Sequence, residues 1–529
     1  MTQESQIPAG RSRENPDVRV VLPVLLSGLV SACALGPDYS RPAVHVSENF
    51  RMSEAPTSLP SLANLPWWEL LKDPTLQALI TVALAENKDL KRAVSSIEEF
   101  EARLAAARTS FLPQVAGHSR LPALGRLRGF RADGFPSDFS YSVLGDVAWE
   151  LDVWGRIRRS TEASLADLLA HEENRRAVVL ALVSGVAQAY FELLQFDMQW
   201  DIAKRTLQSW EESVSIARAR LRGGITSKLD ADQFESERAN AAARVAEFER
   251  RTSQKENALS VLLGRTPTSI KRGTLLTEQT MPPEVPAGLP SELLQRRPDI
   301  VQAEQVLAAA TARIGVANAA RFPSVTLTGI LGVASPRLSN VLTSEATFGA
   351  SGFNVVAPLL NANALGFQQD AAEAQARQAL AQYEQTLLVA FQEVENALVA
   401  VHTVREQRHA QIEQVAALRS ALRLASLRYR GGVTSYIDVL IAKRNLFDAE
   451  LSLTETHRLH LVSVVQLYKA LGGGWSANDS SEQQTLSRTA LPTNRAKQGD
   501  RAALRDPDRV GGDRREDQRP GLAVGVTRQ

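Results

Sequence analysis

Apolar and polar side chains alternate from residue 139 to residue 153. Phe139, Tyr141, Val143, Val147, Trp149, Leu151 and Val153 share one parity, and Ser140, Ser142, Asp146, Glu150 and Asp152 share the other. A period of two predicts a strand whose faces meet different surroundings. A strand this long, apolar on one face and charged on the other, fits a membrane barrel, with lipid outside and a polar lumen inside. The alternative, an edge strand of a soluble sandwich, would rarely run so far. A weak strand pair is expected across 114–153, and a second pair at Val325–Thr328 and about 346–359. Four strands cannot close a barrel, and open edges cannot face lipid because every backbone group there needs a partner. Several chains must share one barrel, and three would give about twelve strands.

The period then changes to that of helices. Leu76, Leu79, Ile80, Ala83 and Leu84 recur at three and four, predicting a helix over 75–111. It ends at Leu112-Pro113, since the residue before proline leaves the helical region. Two proline-free stretches, 157–222 and 365–430, would each reach roughly 100 Å and need lateral neighbours. Shorter helices are expected at 227–263, 299–321 and 435–471, pairs of which could line a long helix end to end.

The chain also repeats itself. Arg218–Asp230 (R-A-R-L-R-G-G-I-T-S-K-L-D) returns as Ser426–Asp438 (S-L-R-Y-R-G-G-V-T-S-Y-I-D), Leu263-Gly264 as Leu471-Gly472, and Leu112-Pro113 as Phe322-Pro323. The offset of about 208 residues is far beyond a solenoid period of roughly 20–50, so a whole half-domain has been copied. Gly223-Gly224 and Gly431-Gly432 are expected to take left-handed conformations and turn the chain into αα-hairpins. Arg218, Arg220, Arg222, Arg428 and Arg430 suit the last helical turn. Ser227 with Asp230, and Ser435 with Asp438, have capping-box spacing. The organisation read from these features is a signal peptide (1–32), an extended segment (33–74), a first repeat (75–264), a linker (265–290), a second repeat (291–474) and a polar, disordered tail (475–529).

Composition narrows the picture. Of 529 residues 44% are hydrophobic but only 6% aromatic, and the net charge is +1. That suits closely packed long helices and gives no electrostatic case for a nucleic-acid partner. No run of eighteen apolar residues follows residue 34, so no transmembrane helix is expected in the mature chain. Arginines precede an apolar run from Val20 to Ala32, which ends Val30-Ser31-Ala32-Cys33. This reads as a secretory signal ending in a lipobox, with Cys33, the single cysteine, as the lipidated first residue of the mature chain. Phosphate-loop, dinucleotide and nucleophile-elbow motifs are missing, so no enzyme, catalytic residue or cofactor is expected. His457 and His460 have a metal-like spacing without an acidic partner and read as a solvated helix face, so no metal site is expected either.

Five motifs in order resemble the TolC-like outer-membrane factors, in their lipoprotein branch (the NodT type). They are C-A-L-G-P-D-Y-S-R-P from Cys33, W-W-E-L-L-K-D-P-T-L from Trp67, R-R-P-D-I from Arg296, L-R-Y-R-G-G-V-T-S-Y from Leu427 and L-Y-K-A-L-G-G-G-W from Leu467. The resemblance implies a homotrimer of mixed α and membrane-β class. Long helical hairpins would form a periplasmic tunnel, and four strands per chain would join a shared twelve-stranded barrel. It implies outer-membrane lipid, a periplasmic adaptor protein and an inner-membrane pump as partners, and a role as the exit duct of an efflux or secretion system. A lipid-anchored coiled-coil scaffold without a pore is the other function class. It further implies a gate at the periplasmic tip around Tyr429, Ile437, Asp438, Ile441 and Arg444. Many relatives place an acidic ring where this chain has Ile441, two residues before a Gln-Arg pair that is here Lys443-Arg444. An apolar closure is therefore expected, with Asp438 either capping its helix or replacing the ring.

Overall fold

The computed structural model of the chain describes residues 34–44, 50, 64–120, 141–280, 293–335, 337–359 and 362–473. The expected signal peptide, Cys33 and the expected disordered tail lie outside them. A short helix α1 (Trp67–Leu70) precedes α2 (Pro74–Glu86) and α3 (Lys88–Thr109). Strands β1 (Gln114–Arg120) and β2 (Tyr141–Leu151) lead into α4 (Arg156–Arg222) and α5 (Lys228–Leu262). The order then recurs: α6 (Leu293–Arg296), α7 (Pro298–Ala319), β3 (Ser324–Ser335), β4 (Thr347–Val356), α8 (Ala362–Arg430) and α9 (Tyr436–Ala470).

The helix expected over 75–111 is two helices. Asn87, at ψ 134°, ends α2 and caps α3, its Oδ1 accepting from Leu90 N–H at 3.0 Å. Asparagine competes with helix continuation by bonding the backbone itself, a signal that apolar spacing does not register. The short helices do meet end to end. Asn87 Nδ2 donates to Leu262 O at the end of α5 (2.9 Å), and in the second repeat Arg297 Nη1 donates to Ala470 O at the end of α9 (2.9 Å). Gly264 (φ 71°) lies against Glu86–Asn87, and Gly472 (φ 69°) against Arg296–Arg297. Each N-cap therefore satisfies an orphan carbonyl of another helix.

Where these ends meet, Leu76, Ile80, Tyr190, Leu193, Leu259, Ile300, Tyr383 and Leu471 share the main core. Asp73 closes it from the side. The carboxylate caps α2 through Thr75 N–H (2.8 Å) and accepts from Tyr190 Oη (3.1 Å), Gln279 Nε2 (2.8 Å) and Thr274 N–H (3.2 Å). Burial pushes this carboxyl up, but bonds from Gln279, Thr75, Leu76 and Tyr190 outweigh it and leave it below the usual carboxylate range.

The four strands form one antiparallel sheet in the order β1-β2-β3-β4. At its base Asp152 accepts from the N–H groups of Ile157 (2.8 Å) and Arg158 (2.9 Å), and Gly155 takes φ 77°. An anion and a left-handed glycine thus start α4 directly below β2. Two helices, α4 and α8, hold eighteen-residue windows apolar enough by length and composition to cross a membrane; the window in α4 is 61% buried and that in α8 only 22%.

Candidate functional site: a two-faced sheet and a helical tip

Cross-strand partners in an antiparallel sheet share a face. Register places Val115 opposite Val147, Val143 opposite Val333, Trp149 opposite Leu327 and Leu151 opposite Val325. It continues with Leu327 opposite Phe353 and Val325 opposite Val355. The alternation read in β2 therefore extends across all four strands as one apolar face. Its large side chains are exposed: Val115, Val143, Leu331, Phe353 and Val355 range from 57% to 75%. The other face carries His118, Ser142, Asp146, Glu150, Thr326, Thr328 and Asn354 together with Leu144, Ile330 and Phe348, and His118 Nε2 stands 2.7 Å from Asp146 Oδ1. Aromatic residues mark the junction with the helices, where Trp149 Nε1 donates to Phe111 O (3.0 Å) and Trp154 Nε1 to Pro323 O (2.7 Å). A sheet with a wide exposed apolar face, a more polar face and, among the described residues, two open edges is suited to a shared barrel wall in lipid.

At the opposite end both hairpins turn on paired glycines. Only the second of each pair is left-handed, Gly224 at φ 70° and Gly432 at φ 71°; Gly223 sits at φ −83°. Ile225 N–H returns to Arg220 O (2.9 Å) and Val433 N–H to Arg428 O (3.0 Å), which closes both helix ends in the same way. The caps that follow differ. Ser227 and Asp230 form a capping box, whereas Ser435 Oγ accepts from Ile437 N–H (3.4 Å) and Asp438 Oδ2 accepts from Thr434 Oγ1. Asp438 thus braces the turn and does not complete the second box.

Of the expected gate residues, Tyr429 lies in the last turn of α8 and Ile437, Asp438, Ile441 and Arg444 in the first turns of α9. The Tyr429 ring packs edge-on to Tyr436 at 4.6 Å, and its hydroxyl accepts from Arg220 of the other hairpin, whose guanidinium also stands 5.0 Å from the ring. Ile437 and Ile441, one turn apart, are 41% and 42% exposed; Asp438 and Arg444 are exposed beside them. Behind this surface Trp210, Phe234 and Leu440 form a separate small core, with Tyr436 against it. Sequence reasoning missed Trp210, Phe234, Tyr436 and Lys443. For the three aromatic residues the available signal was their aromatic character in helices that are otherwise rich in alanine.

Lys443 is the chemically distinctive member. Nζ donates to Ser209 O (3.1 Å) and Ser213 Oγ (2.9 Å) and sits 4.7 Å from the Trp210 ring. Burial pushes its ammonium down to about 8, against an upward pull from Glu212. Between about 8 and the ordinary lysine value the unfolded chain holds the extra proton, so stability of the tip rises with pH across that window and is level below it. Lys443→Met is expected to remove this rise and to melt higher than wild type at pH 7. Melting curves of both proteins from pH 7 to pH 10.5 check it, and parallel pH dependences would refute it.

His457 and His460 are not on a solvated face: they are 7% and 8% exposed. Burial, then Arg408 and His460, push His457 down to about 4, so its neutral Nδ1 accepts from Arg408 Nε (3.1 Å). The packing of α9 against its neighbours buries both, which the i, i+3 spacing alone did not reveal. Among the described residues no cluster of three or more His, Cys, Asp or Glu could hold a metal ion.

Comparison with known proteins agrees with this architecture. The outer membrane efflux protein family matches residues 79–265 and 289–473. The probable efflux pump outer membrane protein TtgC of Pseudomonas putida is 36% identical over 469 residues, covering 87% of this chain and 96% of TtgC. The cation efflux system protein CusC of Escherichia coli is 33% identical over 460 residues, covering 86% and 99%. The open state of the Neisseria gonorrhoeae MtrE outer membrane channel superposes with a TM-score of 0.74 at 32% identity, covering 84% of this chain and 98% of that one.

Proposed function

The chain belongs to the outer membrane efflux protein family, and from that premise we propose that it is the outer-membrane exit duct of a tripartite efflux or secretion system. Small molecules would pass to it from a periplasmic adaptor and an inner-membrane pump. The observation that carries this reading is the sheet: one face apolar and exposed across all four strands, edges open, and each strand continuing into a helix. Three copies side by side would pair those edges into a barrel of about twelve strands. The weakly covered apolar window of α8 would be buried between the copies. A scaffold without a pore has no use for a lipid-facing sheet. Repeats 75–264 and 291–474 would each supply half of a protomer's wall. Cys33 would carry acyl chains, at about 0.8 kcal/mol of membrane affinity per buried CH₂.

The duct narrows at the tip. Tyr429, Ile437, Asp438, Ile441 and Arg444 form the gate, with the exposed isoleucines as an apolar constriction and the Arg220–Tyr429 bond tying the two hairpins. A heat-modifiable trimer in outer-membrane fractions that conducts in planar bilayers is the expected result. Ile441→Asp should raise its cation selectivity severalfold, because carboxylates at a constriction focus cations. Asp438→Asn should leave selectivity nearly unchanged. A large selectivity loss in Asp438→Asn with none gained in Ile441→Asp would place the constriction one turn away, and a chain that never conducts would return the scaffold reading.

A further inference from the structure

The more polar face of the sheet carries an apolar patch with a hollow over it. Register aligns His118, Leu144, Gly332 and Phe348 in one cross-strand row. The next row on the same face holds Asp146, Ile330 and Ala350. Gly332 leaves bare backbone between Leu144 and Phe348, and Ala350 leaves room beside Ile330. The result is a concavity of about 1110 Å³, slightly larger than most small-molecule sites. Its end away from the helices is closed by the connection after β3. That connection carries two 3₁₀ turns, Leu338–Asn340 and Ser344–Ala346. It folds back over the sheet, so that Ala334 and Ala346 are 9% and 8% exposed and Glu345 lines the same hollow as Asp146.

The charge of the hollow is one-sided. Among its described lining residues Asp146 and Glu345 are carboxylates, and none is lysine or arginine. His118 Nε2 stands 2.7 Å from Asp146 Oδ1, yet no hydrogen bond is aligned on that buried oxygen. The Asp146 side chain as a whole keeps 35% of its surface, which leaves Oδ2 as its open acceptor. Phe348 and Ile330, 42% and 40% exposed, line the same space. Strand spacing sets about 12 Å between the Phe348 and Asp146 backbones, two strands and one row apart. Each half of this surface alone attracts little. An inorganic cation meets only a hydrated carboxylate, and an apolar solute meets only the patch. A solute with an apolar body and a positive group engages both, covering the patch and supplying the carboxylate with a charged partner.

We propose that this hollow is a transit site for amphiphilic organic cations, with Leu144, Ile330 and Phe348 holding the apolar body and Asp146 the positive group. This rests on the reading of the more polar face as luminal. A trimer would hold three such sites at one level of the barrel. Binding there is weak, micromolar to millimolar, because a site on a conduction path has to release what it holds. The site favours one class of solute over others of the same size without closing the duct to them.

Ethidium, a fluorescent aromatic cation, is the probe. Purified full-length trimer should raise its anisotropy saturably above that in protein-free micelles. Tetraphenylphosphonium should compete; tetramethylammonium, which has no apolar body, and naphthalenesulfonate, an aromatic anion, should not. Asp146→Asn should weaken ethidium binding about tenfold and Phe348→Ala severalfold, whereas Asp146→Glu should retain most of it. Glu150→Gln lies on the same face outside the hollow and should leave binding unchanged, which separates a site from the general negative potential of a lumen. Equal competition by naphthalenesulfonate and tetraphenylphosphonium, or an Asp146→Asn trimer that binds as wild type does, overturns the proposal. The competition arm uses only wild-type trimer, so it decides even if a variant fails to assemble. Ser142→Cys, on the same face, tests the luminal reading separately. A membrane-impermeant maleimide should modify it in assembled trimers in bilayers, above the wild-type background. No modification overturns the luminal reading; modification without saturable ethidium binding overturns the transit site alone.

Discussion

Leu331→Arg is expected to prevent stable insertion, whereas Thr328→Arg, three residues away on the same strand, should assemble normally and alter conductance. Leu331 is 67% exposed on the apolar face, opposite Gly145 and Gly349 near the middle of β3; Thr328 lies on the polar face opposite Ala148 and Gly352. An arginine at the lipid midplane of a barrel costs about 2–4 kcal/mol, and a trimer would carry three. On the lumen side the same side chain remains hydrated. Heat-modifiable trimer in outer-membrane fractions and single-channel recordings check both variants. Assembly of Leu331→Arg at wild-type yield, with failure of Thr328→Arg, would mean that the two faces are assigned backwards.

Gly264→Ala should be the most damaging glycine substitution in the helical body. The residue has φ 71°, and a Cβ would come 2.3 Å from Glu86 O and 2.7 Å from Glu86 C, backbone atoms that cannot swing aside. Strain and overpacking together should cost about 2–5 kcal/mol. Gly224 has nearly the same φ, 70°, but nothing within 4 Å of its Cβ position, so Gly224→Ala isolates the conformational part, about 1–2 kcal/mol. Gly472→Ala, with its nearest atoms at 3.2 Å, should fall between them. Thermal melts of the three variants give the order; equal losses at Gly264 and Gly224 would show that the end-to-end helix contact contributes nothing.

The lipid-facing parity, the long helices and the glycine turns were legible from the residues because each depends on neighbours a few positions away. A period of two needs only the pleat, a period near 3.6 only the helix, and a left-handed turn only the missing Cβ of glycine. Motif resemblance added the proposed gate region, in which Tyr429 lies in the last turn of α8 and Ile437, Asp438, Ile441 and Arg444 lie in the first turns of α9.

Tertiary structure decided what depends on distant partners. Periodicity ran one helix through Asn87, whose Oδ1 caps α3 locally at Leu90 N–H while its Nδ2 reaches Leu262 O at the far end of α5, a partner that no local pattern reveals. Spacing put His457 in solvent, and the packing of α9 under its neighbours put it in the core. Lys443 reads as an ordinary surface lysine until Ser209, Ser213 and Trp210 of the other hairpin close around it. Arg41 and Glu304 stand 263 residues apart in the chain and 2.8 Å apart in space. The elements and the faces they present follow from local sterics and side-chain period, which act within a few residues. Only the folded body decided which charges are buried together and where chain ends dock, because desolvation and pairing depend on neighbours that no local pattern specifies.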